Sequence, residues 1–391
     1  NDLKIISEIK KIKNNIIFIL KGALFFNPED KLFEEIGETI NEADYLIGGE
    51  QEFIIGPLIN AHYNDKNQLK NIQGISYKEN GKWINNYLTD FCENIDGLPF
   101  PDRSLMKNDL YINPATNKPM ALITTAKGCC FSCFYCLSSV ISGKKVRNRS
   151  NQSIFAEMTE CYKKYNIKEF FLKSDTFTVD KKKVIDLCSM IINSELNGKI
   201  NWYATARVDT LDDEMLGIMK ESGCSLLSIG FESGSNESLK RMKKGTSTEK
   251  NLLAAKLCKK HGIKMLGHFL IGFEWEDESH LAATKKHIFD LNADFIEISV
   301  IIPYYKTELY EEIIKQHNEN LNIIGFDSYN NVYEKYHKIP AERLQKYRKQ
   351  LLREYYLRPK YIISKILDIK RPAVFMNYIK YGIRMLKNTF Y

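Results

Sequence analysis

Four of the nine cysteines lie close together, at positions 129, 130, 133 and 136. Cys129, Cys133 and Cys136 have the spacing C-x3-C-x2-C. Three thiolates on one short loop can hold three irons of a [4Fe–4S] cluster, which leaves the fourth iron open to a substrate or cofactor. Gly128 lets the backbone turn sharply into that loop. A structural zinc site and unliganded cysteines are the alternatives. Zinc normally takes four ligands, usually in two separated pairs, and no second Cys or Cys/His pair occurs elsewhere in the sequence. Cys130 adjoins Cys129 too closely to share its metal geometry and reads as a bystander. Cys92, Cys161, Cys188, Cys224 and Cys258 are scattered through apolar or helical stretches and read as small buried hydrophobes. An odd cysteine count without a visible export signal favours a reducing cytoplasm over a disulfide framework.

The loop needs a scaffold, and the pattern around it is regular. Strand-like segments fall at 121–125, 169–174, 200–206, 225–230, 264–272 and 295–302. Helical patterns separate them, at 152–165, 181–193, 212–222, 238–243 with 250–261, and 277–291; Ser150 suits the N-cap of the first. Six β-α units imply a parallel sheet, curled into a barrel or doubly wound. A β/α barrel places its chemistry at the C-terminal ends of its strands, and the cysteine loop follows the first strand. His268, inside the fifth strand, reads as a packed histidine. Upstream, residues 1–95 alternate helical patterns (3–13, 30–43) with strands (16–20, 45–47). Gly48-Gly49-Glu50, a further helix and a β-like stretch 72–77, closed by Asn80-Gly81, complete an open α/β segment. Residues 96–118 read as a linker, because Gly97, Pro99 and Pro101 cannot continue a helix or central strand.

A cysteine triplet with an aromatic, Tyr135, before its last member, at the end of a first barrel strand, resembles the radical S-adenosylmethionine (radical SAM) superfamily. The resemblance covers residues 119–320. It implies a [4Fe–4S] cluster on Cys129, Cys133 and Cys136, SAM chelated at the open iron, and reductive cleavage of SAM to a 5′-deoxyadenosyl radical that abstracts hydrogen from a substrate. It further implies that Tyr135 lies near the adenine and that Ser174 and Asp175 bind the amino end of SAM. Arg207 would take the SAM carboxylate, as a guanidinium can, with an ion pair to a neighbouring loop as the plainer alternative. Glu232 would lie by the ribose or amine, with a helix N-terminal charge as its alternative. Gly267 and Gly272 would let the adenine approach. Tyr304 and Tyr305 follow the sixth strand on the substrate side; relatives often read Pro-Tyr-Pro-Gly-Thr there, and Tyr305-Lys306 departs from that pattern.

The N-terminal segment, with the Leu98-Pro-Phe-Pro-Asp-Arg103 junction, resembles the subclass in which a Rossmann-like cobalamin-binding domain precedes the barrel. Residues 1–95 match only the second half of such a domain, and the Asp-x-His-x-x-Gly motif of the first half is absent. A truncated fragment, supported by the missing Met, and a degenerate domain without cobalamin both fit. Gly22, Gly49 and Glu50 are the candidate cobalamin contacts, although Lys21-Gly22-Ala23 stands where relatives often have Gly-Gly-Pro.

Lys and Arg total 56 against 49 Asp and Glu, a net charge of +7. Residues 341–391 carry 13 basic and 3 acidic residues, so the rest of the chain is slightly acidic. The basic tail, residues 321–391, reads as a helical extension. It is a helical cap with a solvated face or a peripheral contact with an anionic membrane surface through residues 341–391. Nucleic acid fits less well, since no binding module is present. No apolar run approaches the ~20 residues of a membrane span.

The expected fold is α/β: a partial (β/α)6 TIM-like barrel, preceded by half of a Rossmann-like cobalamin domain and followed by the basic helical tail. The expected function is that of an anaerobic, cytoplasmic radical SAM enzyme, peripheral at the inner membrane face if the tail binds lipid. It would methylate an unactivated carbon or phosphorus centre of a small-molecule or lipid-like substrate with cobalamin, drawing electrons from flavodoxin or ferredoxin. Its rivals are a ring-forming cyclase of the anaerobic magnesium-protoporphyrin ester type without methyl transfer and a non-catalytic iron–sulfur or zinc module.

Overall fold

The computed structural model describes residues 2–13, 15–29, 32–33, 36, 40–317, 334–368 and 376–377. Strands β1 (Ile19–Lys21), β2 (Tyr45–Ile47), β3 (Ile75–Glu79) and β4 (Lys82–Asn86) form one sheet in that order. β1 and β2 are parallel, and β3 and β4 are antiparallel additions. Asn80 and Gly81 both have positive φ, as a two-residue type I′ hairpin turn requires. The strand that this hairpin leads to, β4, was not expected from the sequence. Most of the 30–43 helical pattern lies outside the described residues; Leu32, Ile36 and Ile40, at helical spacing, are buried.

The second sheet contains β5 (Ile112–Asn113), β6 (Lys118–Thr124), β9 (Glu169–Lys173), β10 (Asn201–Ala206), β11 (Cys224–Glu232), β12 (Lys264–Ile271) and β13 (Phe295–Val300). A short ribbon, β7 (Ala126–Lys127) with β8 (Arg147–Asn148), brackets the cysteine loop. The sheet order β13-β12-β11-β10-β9-β6-β5 puts each parallel strand beside its predecessor, so the six β-α units wind one way into a curled partial barrel. Only β5, at one edge, is antiparallel. The helices fall within two residues of the sequence pattern, and Ser150, Asp180, Asp212, Ser235, Ser247 and Asp277 cap their first turns through side-chain oxygens.

The strands have two different faces, because successive side chains point opposite ways. Phe170, Leu172, Trp202, Ile229, Phe231 and Phe269 are buried against the helices. Phe171, Tyr203, Ser228, His268 and Glu297 alternate with such core residues and lie on the concave face. Residues 96–118, expected as a linker, are pinned to the barrel. Arg103 reaches the buried Glu157 of helix Asn151–Tyr165 at 2.6 Å, and Arg149 pairs with the same carboxylate. The N-terminal segment shares a core with the barrel mouth, where Leu32, Ile36, Ile40 and Leu46 pack with Phe134, Met242, Phe273 and Tyr305.

Helix Ala341–Tyr356 covers the edge strand β13. The Tyr356 hydroxyl accepts from Ile296 N at 2.7 Å and donates to Ile296 O at 2.8 Å; Tyr355 and Tyr361 donate to Ala293 O and Asp294 O. This part of the basic tail is therefore a cap on the barrel. No described helix is long and apolar enough to cross a membrane.

Candidate active site

The β7–β8 ribbon launches the cysteine loop. Gly128, at φ +91°, begins it; a Cβ there would meet Lys145 O at 2.1 Å, so only glycine fits. Asp175, just past β9, accepts from Gly128 N at 2.9 Å. The loop is further held by Cys129 N to Gly143 O, Cys136 N to Cys133 O and Phe134 N to Met242 O. Phe134 and Tyr135 pack on Phe273, which stacks on Trp275 at 4.7 Å.

Three strand ends meet this loop. Arg207, after β10, donates from Nη1 to Cys133 Sγ at 3.5 Å and lies 3.6 Å over the Phe131 ring. Its Nε and Nη2 hold Asp209 at 3.0 Å each, and Nη2 also reaches Lys244 O. Glu232 ends β11 at φ +65°, after a break in register, and binds the buried Lys244 ammonium at 2.6 Å. A Cβ on Gly230 would lie 2.4 Å from Glu232 Oε1, so the bare backbone makes room for this pair. Ser174 Oγ, after β9, is buried without a hydrogen-bond partner among the described residues.

The loop's ionisable groups are desolvated. Burial raises the Cys129 thiol, countered by the Phe131 N–H and Thr176. Burial also raises Cys133, against which the Lys244 and Arg207 charges pull down, and raises Cys136, opposed by hydrogen bonds from Ser138. The Tyr135 phenol is pushed well up by burial and then by the adjacent Glu232 carboxylate. Two buried cations thus stand ready to offset negative charge at the thiols.

These features test the implied groups. Among the described residues, no three Cys, His, Asp or Glu side chains converge on one point as a single ion requires. The donor set is three thiols on one loop, which suits a [4Fe–4S] cluster with one thiolate on each of three irons, whereas a structural zinc ion normally takes four ligands. The orphaned Ser174 hydroxyl suits a polar ligand at the end of β9.

The other expected site residues divide between the loop and more distant positions. Arg207 and Asp175 reach the loop, but each already holds a protein partner. The space beside Gly267 is filled by the Phe231 and Phe269 rings, and that beside Gly272 by Leu344 and His337. Tyr305 is buried, and its hydroxyl accepts from Glu29 N, while Lys306 reaches Asn27 O. That loop is stapled to the N-terminal segment; Tyr304 is exposed. Of the cobalamin candidates, Glu50 is spent on Arg147, with two contacts of 2.8 Å, and Gly49 packs on Ile54 and Leu88. Only Gly22 keeps an open approach, its nearest such neighbour being the Phe25 ring at 3.6 Å.

Lys244, Asp209 and Thr176 were missed from sequence. Asp209 could have been found, since it follows Arg207 by two residues at a strand end. Nothing in the sequence separates Lys244 from its neighbour Lys243.

Comparison with known proteins agrees with this geometry. Residues 123–288 match the family model described as the radical SAM superfamily. A protein of Pyrococcus horikoshii, described as an uncharacterised methyltransferase, is 32% identical over 374 residues, covering 94% of this chain and 78% of its own. The anaerobic magnesium-protoporphyrin IX monomethyl ester cyclase of Rubrivivax gelatinosus is 26% identical, over 82% of this chain and 57% of its own length. The radical SAM methyltransferase TsrM of Kitasatospora setae, solved with cobalamin and a [4Fe–4S] cluster, superposes with a TM-score of 0.66 at 18% identity. That match covers 89% of this chain and 69% of TsrM, and shows a shared fold. With a family match over the strand ends that carry these residues, and a relative alike along nearly the whole chain, the protein belongs to the radical SAM superfamily.

Proposed function

We propose that the chain is a radical SAM methyltransferase whose cluster ligands are Cys129, Cys133 and Cys136. The observation that carries the site is the cysteine loop itself: three desolvated thiols on a loop anchored by Asp175, faced by Arg207 and Lys244. When bound, the cluster and SAM supply one-electron chemistry at an otherwise unreactive substrate bond. The chain's own residues position and shield. Arg207 and Lys244 offset the thiolate charge, and Asp209 and Glu232 fix those cations in place. Ser174 Oγ offers a hydrogen bond to the amino end of SAM. Phe134, Tyr135, Phe273 and Trp275 exclude water from one side of the loop.

Methyl transfer is supported by the Pyrococcus horikoshii relative and by the fold shared with TsrM. Cobalamin enters on the same fold likeness, with Gly22, Gly49 and Glu50 as its candidate contacts. The substrate class is a small molecule, lipid-like ones included, and the electron donor a flavodoxin or ferredoxin. The domain division at 1–95, 96–118, 119–320 and 321–391 is retained as functional, with the first three parts packed together.

The test uses the chain reconstituted anaerobically with iron, sulfide and cobalamin, then given SAM and a strong reductant. 5′-Deoxyadenosine and S-adenosylhomocysteine are quantified together. Both should form, and both should vanish in Cys133→Ala. Deoxyadenosine alone sinks methyl transfer and favours the cyclase-like reading, for which the Rubrivivax relative speaks. Neither product, from a protein shown to hold its cluster, removes the SAM assignment.

A further inference from the structure

Below the strand ends, the concave face carries side chains that the cysteine loop does not use. Lys173 and Phe171 precede Asp175 on β9, and Thr205 and Tyr203 precede Arg207 on β10, at steps of two residues or about 6.6 Å. On β12, His268 lies opposite Gly230 of β11 and Glu297 of β13. Its Nε2 is 2.6 Å from Ser228 Oγ, and its Nδ1 is 3.3 Å from Glu297 Oε2. The histidine expected to be packed is instead part of a carboxylate–imidazole–hydroxyl chain spanning three strands. Its side chain is 36% exposed and that of Glu297 42%. Leu122, on the first parallel strand, is 46% exposed. These groups are in part open to solvent. Beside them the Phe171 and Tyr203 rings stack 4.6 Å apart and 7° from parallel, and Tyr203 is fixed by its hydroxyl bond to Met120 Sδ.

We propose that this concave face is the substrate pocket and that it takes a small molecule with a flat, unsaturated body and a carboxylate. Lys173 supplies the positive charge. Ser228 supplies the hydrogen bond: with His268 donating from Nε2, the Ser228 hydroxyl accepts there and donates its own proton to the substrate's carboxylate. The Phe171–Tyr203 pair supplies the apolar wall, and its rigid rings lose little freedom on binding. The pocket opens one to two rungs beneath Arg207 and Glu232, where a substrate bond would face SAM. The inference rests on reading those strand ends as the SAM site.

The probe is 2-naphthoate, with 2-naphthalenemethanol as its uncharged counterpart. Binding to the anaerobically reconstituted full chain with SAM present is followed by saturation-transfer NMR and calorimetry. Saturable naphthoate binding is expected, with naphthalenemethanol about tenfold weaker. Lys173→Met should weaken naphthoate about tenfold and leave naphthalenemethanol unchanged. Phe171→Ala should weaken both ligands. His268→Gln should weaken naphthoate several-fold, as should Ser228→Ala, which removes the hydroxyl without touching the core. Absence of saturable binding, or equal naphthoate affinity across the wild type, Lys173→Met and Ser228→Ala, overturns the proposal. The SAM reading is judged separately: deoxyadenosine formed by a chain whose naphthoate binding ignores these substitutions sinks the pocket alone. Selective binding without any deoxyadenosine sinks the radical reading and leaves the pocket.

Discussion

The ion pair between Glu50 and Arg147 ties the N-terminal sheet to the base of the cysteine loop. Both side chains are almost out of water, at 9% and 2% exposure, and two contacts of 2.8 Å join them. Arg147 also donates to Cys92 O and Ser142 O. Removing one partner of a buried pair typically costs about 3–5 kcal/mol, because the other charge is stranded. Lys127, 3.8 Å from Glu50, partly relieves the stranded carboxylate. Arg147→Met is therefore expected at the lower bound, about 3 kcal/mol. Glu50→Gln keeps the shape, and Arg147 keeps its two carbonyl partners, so about 2 kcal/mol is expected there. The double variant strands neither charge and should fall short of the sum by about 2 kcal/mol, within the range found for residues in direct contact. Urea unfolding of all four proteins measures this coupling, and hydrogen exchange of residues 126–129 and 143–148 locates it. Strictly additive losses, or unchanged exchange in the ribbon, would show that the pair does not fasten the loop.

Three further outcomes follow from the geometry. Gly128→Ala places a methyl group against Lys145 O at a backbone angle unfavourable to alanine, so iron retained after anaerobic reconstitution should fall several-fold. Burial lowers Lys183 from 10.5 to about 8. Between those values the unfolded chain binds more protons than the folded one, so this residue makes stability rise with pH from about 8 to 10.5. Lys183→Met should flatten that rise in a series of urea midpoints, and an unchanged slope would refute the assignment. Tyr356→Phe strips the hydroxyl from both backbone groups of Ile296 and should cost about 1–3 kcal/mol, read from the same titrations.

The barrel was legible because its signals are local and repeated. Each strand is apolar on its helix-facing side, and each following helix opens on a Ser or Asp cap, such as Ser150 or Asp277. The cysteine spacing was legible because three thiols on one turn have few other uses. What escaped depends on pairings between distant residues. Glu50 resembled a ligand-binding loop residue until Arg147, ninety-seven positions later, was found against it. Lys243 and Lys244 are neighbours, yet one pairs at the surface with Glu308 and the other is buried on Glu232. β7 and β8 are two-residue strands, too short to show any alternation. Nothing in the sequence showed that the space beside Gly267 and Gly272 is lined by the Phe231 and Phe269 rings and by Leu344 and His337.

An incomplete barrel has a vulnerability that a closed one lacks: two free sheet borders, each able to recruit a strand from a neighbouring molecule. At one border β5 runs antiparallel and ends after two residues. At the other, the Tyr356 hydroxyl occupies the outward N–H and C=O of Ile296 in β13, and Tyr355 and Tyr361 hold the carbonyls of Ala293 and Asp294 just before the strand. These tyrosines thus act as a stopper against intermolecular β-pairing as well as a source of stability. Replacing all three by phenylalanine keeps the apolar packing and uncovers the backbone, so the expected result is a fold that survives dilution and aggregates as concentration rises.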